Sequence, residues 1–200
     1  MIIPKNQGDI LVKDFLKYKD YILNVDKEKI NEKEILYKTI NIFFHLTDRE
    51  IDELPYTTIK QSVKIIENVL NQKVDLIRVF ELDGVEYGLL PNFDDMTFGE
   101  MVDCDTDDVM QQIAVLYRPI IKKSGDKYLI EKYKADISHI DLLKEKLTLD
   151  VYNSFVTFFL TISQNLLVSI QNSMVKKQVS LVNWRSPLER NGLGILGFSS

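Results

Sequence analysis

The segment that most restricts the fold of this chain runs from Leu76 to Leu90. Leu76-Ile77-Arg78-Val79-Phe80-Glu81-Leu82 is rich in β-branched and aromatic residues. Asp83-Gly84 separates it from Val85-Glu86-Tyr87-Gly88-Leu89-Leu90, and Pro91 closes the run. A two-residue Asp-Gly loop takes positive φ at both central positions, and its backbone twist matches that of the strands it joins. The spacing therefore predicts an antiparallel β-hairpin at about 76–90. Two strands alone are marginal in water, so other elements must cover them.

Those elements read as helices. Ile10, Leu11, Phe15, Leu16, Tyr18, Ile22 and Leu23 recur at roughly helical spacing within residues 8–25, with Asp9 as a candidate cap. Asn31 is positioned to cap a second helix that buries Ile35, Leu36, Ile40, Phe43 and Phe44. Thr47 to Asp52 resemble a further helix start, and Pro55 breaks the chain. Thr57 or Thr58 then opens a helix with Ile59, Val63, Ile66 and Leu70 on one face. Thr97-Phe98-Gly99-Glu100 has the capping-box pattern, in which threonine and glutamate satisfy each other's backbone amides. Asp105 or Thr106 should start a helix through Val109, Met110, Ile113, Leu116 and Tyr117, stopped by Pro119. Lys127 to Tyr133 suit a short strand or extended segment. The last stripe, Val151, Phe155, Phe158, Ile162, Leu166, Ile170 and Met174, predicts one helix over about 149–176. The expected fold is α+β, predominantly α-helical, with a small antiparallel hairpin and a long C-terminal helix. One domain should cover 1–182, followed by an extended tail over 183–200.

Charge narrows the function. The chain has 25 Lys and Arg against 30 Asp and Glu, a net charge of -5. Its densest basic patches are the pairs Lys122-Lys123 and Lys176-Lys177, too small to hold a phosphate backbone, so no nucleic acid partner is expected. The most apolar stretch, 155–170, is interrupted by Ser163, Gln164 and Asn165 and falls short of the ~20 residues a membrane span needs. Met1-Ile2-Ile3-Pro4-Lys5 lacks the regions of a signal peptide. Cys104 is the only cysteine, as suits a reducing compartment. A soluble protein with no membrane partner is expected.

Covalent chemistry finds no support in the motifs. There is no G-x-S-x-G, no Gly-rich phosphate loop, and His45 and His139 have no partner at metal or triad spacing. Both histidines read as surface or helix-end residues. Asp94, Asp95, Glu100, Asp103, Asp105, Asp107 and Asp108 fall within fifteen residues without Lys or Arg. Paired carboxylates can bind a cation, but the EF-hand order is absent, and acids also favour the helix starts expected in this window. An electrostatic docking surface is the middle reading. The acidic neighbours of Cys104 should raise its pKa, which points to a structural thiol. No catalytic, cofactor or metal residue is expected; the chain reads as a non-enzyme without cofactor.

The central block also carries a resemblance. Phe80 to Glu100, with Tyr87-Gly88, Leu90-Pro91 and Met96-Thr97-Phe98-Gly99-Glu100, is similar to a segment of tailed-phage proteins, notably of gut and crAss-like phages of Bacteroidetes. Asp103-Cys104-Asp105-Thr106, Ala114-Val115-Leu116-Tyr117-Arg118-Pro119, Tyr128 to Tyr133, Phe158-Phe159 and Asn191 to Ile195 continue the pattern in order. The resemblance implies a virion-morphogenesis protein, either tail-assembly-chaperone-like or a resident ring, adaptor or packaged protein. Its partners would be tail, neck or portal components, with a homo-oligomer as a further option. It would work in the host cytoplasm during assembly or stay in the virion. Asp94, Asp95, Glu100, Asp103 and Asp105 would orient a basic partner. Trp184, Arg185, Ile195 and Phe198 in the tail would anchor it, or pack on the chain's own body. The alternative is a phage-encoded, non-enzymatic binding or regulatory module acting on host proteins.

Overall fold

The computed structural model describes residues 2–25, 31–162, 164 and 168. The fold is α+β and mostly helical, with a four-stranded antiparallel sheet. Cα packing divides the chain into two units, Met1–Thr157 and Phe158–Ser200.

In the first unit the first α-helix is α1 (Val12–Asn24), followed by α2 (Glu32–Phe44), α3 (Asp48–Asp52) and α4 (Tyr56–Leu70). Helices α2 and α3 start where a side chain satisfies their free amides, whereas α1 and α4 have no side-chain cap. Asn31 caps α2 by accepting from the Glu34 amide at 3.0 Å. The Thr47–Glu50 capping box opens α3, and Pro55 precedes α4. Leu36, Ile40, Ile51 and Val63 from α2, α3 and α4 form one buried cluster, with Tyr37, Phe44, Leu46 and Ile59 packed against it. Asp9 does not cap α1. It belongs to a 3-10 turn over Gln7–Asp9 that Asn6 caps, and α1 starts at Val12 without a side-chain cap. Val12 N–H donates to Leu147 O at 2.9 Å, and Leu149 N–H to Ile10 O at 2.8 Å, so a backbone bridge replaces the cap.

Buried Gln7 adds a second tie. Its amide nitrogen lies 3.2, 3.3 and 2.8 Å from Val69 O, Leu70 O and Gln72 O and donates to this group of carbonyls at and just beyond the end of α4. Its oxygen accepts from Asn153 at 2.8 Å.

The sheet contains β1 (Val79–Leu82), β2 (Val85–Leu89), β3 (Tyr117–Ser124) and β4 (Lys127–Ile130), in that spatial order. The expected hairpin is present, with Asp83 at φ 51° and Gly84 at φ 78° in the turn. Its partner strand departs from expectation. A helix α5 (Phe98–Cys104) is followed by α6 (Val109–Leu116), which is capped by Asp108 rather than Asp105 or Thr106. At Tyr117 the chain passes directly from α6 into β3, where Pro119 pairs with Tyr87. Proline disfavours helix in the residue before it, so Arg118 must be extended, and the chain turns into a strand instead of a loop. Gly125-Asp126 makes the second hairpin turn, with only Gly125 at positive φ (58°), as a type II′ turn requires. An unexpected helix α7 (Ile140–Lys146) then leads to α8, the last helix among the described residues. It starts at 149, and every described position through 162, with 164 and 168, is helical. The expected extent of that helix to 176 and the boundary at 182 lie outside the described residues.

Gly88 marks the tightest approach in the sheet. A Cβ there would sit 2.5 Å from a ring carbon of Tyr128 and 3.1 Å from Ile120. That ring is pinned, since its hydroxyl donates to Leu89 O at 2.8 Å. Gly88→Ala should therefore cost about 1–3 kcal/mol through overpacking, measurable as a lower urea midpoint at unchanged slope. A neutral result would show that the β3–β4 hairpin can swing away.

Candidate docking surface

The acidic stretch converges on α5, a helix whose sides are reversed relative to a usual surface helix. Thr97 and Glu100 form the expected capping box, with the Thr97 amide donating to Glu100 Oε2 at 2.6 Å. The side facing the protein carries Glu100, Asp103 and Cys104, at positions i, i+3 and i+4. Glu100 is 3% exposed and pairs with Arg118, itself 6% exposed, at 2.6 Å. Asp103 accepts from the Tyr133 hydroxyl, and the Tyr133 ring lies against Gly99. The opposite side carries Phe98, Met101 and Val102, which are 81%, 57% and 53% exposed. A surface helix ordinarily turns its apolar stripe inward. Here the polar stripe is committed to Arg118 and Tyr133, and the apolar stripe faces water.

Electrostatics follow from this arrangement. Burial works to raise the Glu100 pKa, but hydrogen bonds from Thr97 and the Arg118 guanidinium outweigh it and hold the carboxyl below its ordinary value. Cys104 is half-buried, and burial, then the negative charge of Glu100 and Asp103, pushes its thiol up to about 11. It is a protonated, weakly nucleophilic thiol at neutral pH, as the sequence suggests.

The remaining acids sort by role. Asp108 accepts from the Met110 and Gln111 amides at 2.9 and 3.4 Å as the cap of α6. Asp95 accepts from the Asn92 side chain at 3.1 Å, and Asp105 terminates α5. Asp94, Asp95, Asp105 and Asp107 are all exposed. Among the described residues, no three His, Cys, Asp or Glu side chains are grouped to hold a metal ion. The chain from 79 to 117 contains ten acidic residues and no Lys or Arg. Asp83, Glu86 and Glu100 pair with Lys146, Lys123 and Arg118, whereas among the described residues the exposed Asp94, Asp95, Asp105 and Asp107 near α5 make no ion pair.

Of the acids read from the sequence as partner-facing, Glu100 is corrected: its carboxylate is spent on Arg118 and the Thr97 amide, inside the protein. Asp103 is half-buried and engaged by Tyr133. Asp94, Asp95 and Asp105 are on the surface. Trp184, Arg185, Ile195 and Phe198 lie outside the described residues. Phe98, Met101 and Val102 were missed as surface groups. Their i, i+3, i+4 spacing was readable, but nothing local says which stripe of α5 faces inward. The two histidines are at helix ends, His45 closing α2 in left-handed geometry and His139 preceding α7, with its Nε2 3.0 Å from Tyr117 O.

No helix among the described residues is long and apolar enough to cross a membrane. Comparisons with protein-family models, curated proteins and solved structures give no match.

Proposed function

We propose that this chain works by protein–protein contact, as an assembly or structural component of a tailed-phage virion, and that the outer side of α5 is its docking surface. The observation that carries the docking reading is the reversed helix. Three large apolar side chains on one ridge are held in water because the helix's polar side is locked by a buried ion pair. An isolated exposed apolar residue is ordinary, but a contiguous ridge beside uncompensated acids suits a basic partner with apolar anchors. The phage assignment rests on the ordered motifs from Phe80 to Pro119 and beyond.

The test is co-expression with the tail, neck and portal proteins encoded by the same genome, followed by affinity capture. The full chain should retain one of these proteins. The triple variant Phe98→Ser, Met101→Ser, Val102→Ser should fold normally and bind at least tenfold more weakly, because buried anchors carry most interface energy. Equal capture by both chains would refute the α5 surface. Capture of a defined host protein in place of every virion component would favour the regulatory alternative.

A further inference from the structure

The same unit that carries the acidic ridge also carries its chemical complement. From 118 to 134 the chain reverses its charge, with Arg118, Lys122, Lys123, Lys127, Lys132 and Lys134 against Asp126 and Glu131. Arg118 is spent internally on Glu100, and Lys123 pairs with Glu86 at 2.6 Å. Among the described residues Arg78, Lys122 and Lys127 have no ion-pair partner. These three cations line an open groove of about 470 Å³ together with Tyr128, Leu129 and Asp126. Its wall is part apolar: Leu129 is 58% exposed, and Tyr128 is fixed by its hydrogen bond to Leu89 O. Pro91 and Ser124 complete the lining, and no residue of α5 takes part in it.

We infer that the ridge of one copy docks in the β3–β4 groove of a second copy, so that the chain self-assembles head to tail. This rests on the reading of α5 as a docking surface and names its occupant. Phe98, Met101 and Val102 supply the apolar contact against Tyr128 and Leu129. Asp94, Asp95 and Asp105 meet Arg78, Lys122 and Lys127. Each half answers what the other leaves uncovered: an apolar ridge with free acids, and an apolar-walled groove with free bases. Two different patches in contact make a heterologous interface. It propagates from copy to copy, closing into a ring if the rotation permits and running on as a filament otherwise. Complementary charge fixes the register and excludes ridge-to-ridge pairing, where acids would face acids.

The experiment uses sedimentation velocity on the full chain at micromolar concentration. The wild type should form species larger than a monomer, and association should weaken at least tenfold between 0.05 and 0.5 M salt as the charges are screened. The ridge variant Asp94→Lys, Asp95→Lys, Asp105→Lys and the groove variant Arg78→Glu, Lys122→Glu, Lys127→Glu should each be monomeric alone. Mixed in equal amounts they should reassemble, because each reversed surface then meets its complement on the other variant. A wild type that stays monomeric at 100 µM or more overturns self-docking, as does either variant keeping the wild-type mass or a mixture that fails to reassemble. The serine ridge variant separates the two readings. If the wild type is monomeric but loss of the ridge abolishes capture of a virion protein, self-docking falls and the docking surface stands. If oligomers form and survive the serine substitutions, self-docking through the ridge falls, and equal capture of a virion protein by both chains is what would bring down the docking surface as well.

Discussion

Arg118→Met should destabilise the protein by about 3–5 kcal/mol, the usual cost of leaving one member of a buried ion pair uncompensated. Stabilities of single domains are about 5–15 kcal/mol, so the variant should be close to unfolding under mild conditions. The loss arises because Glu100 cannot turn to solvent. It is held at N3 of α5 by the Thr97 amide, and α5 is held by Tyr133. The pH dependence gives a sharper signature. Glu100 has a folded-state pKa below its unfolded value of about 4.3. Its contribution is therefore fully present above that value and is lost as pH falls through the folded pKa. Arg118 stabilises only the ionised carboxylate, so the gap between wild type and Arg118→Met should narrow as pH drops from 6 to 3. Glu100→Gln keeps an oxygen for the Thr97 amide and should flatten the same acid limb. Urea titrations across that range check it. A gap that stays constant with pH would mean that Arg118 contributes through packing alone.

What could be read ahead of the structure was whatever the chain decides within a few residues. The Asp83-Gly84 turn, the Asn31 cap, the Thr97–Glu100 box and the stripe of α4 all depend on neighbours within a turn or a strand pair. β3 escaped because its evidence is distant. Pro119 reads locally as the end of a helix, and it becomes a strand residue only because β2, about thirty residues earlier, offers Tyr87, Gly88 and Leu89 as partners. The Gly125-Asp126 turn was a local signal and could have exposed the second hairpin. The site has the same division. The acids were visible, and so were Phe98, Met101 and Val102. Which stripe turns inward is decided by Arg118 and Tyr133, both beyond α5 in sequence. A single base directly after a 39-residue stretch that has none was the available hint that one carboxylate is paired internally.

Tyr117→Ala should cost about 4 kcal/mol, within the range for emptying a buried aromatic site. Tyr117 is fully buried where α6 becomes β3. Its ring lies 5.2 Å from that of Phe80 on β1 and 6.1 Å from that of Phe155 on α8, centroid to centroid. The hydroxyl donates to Ile77 O at 2.5 Å, and burial raises its pKa, so it stays a donor throughout the accessible pH range. One side chain thus joins the first hairpin, the helix-to-strand junction and the start of α8. Tyr117→Phe separates the terms. It keeps the ring contacts and strands the Ile77 carbonyl, so it should cost about 1–2 kcal/mol. The two urea midpoints, measured at unchanged slope, give the split. If phenylalanine costs as much as alanine, the hydrogen bond holds the junction. If phenylalanine costs nothing, ring packing alone sets the point where the helix yields to the strand, and the groove beyond it is positioned by apolar contact.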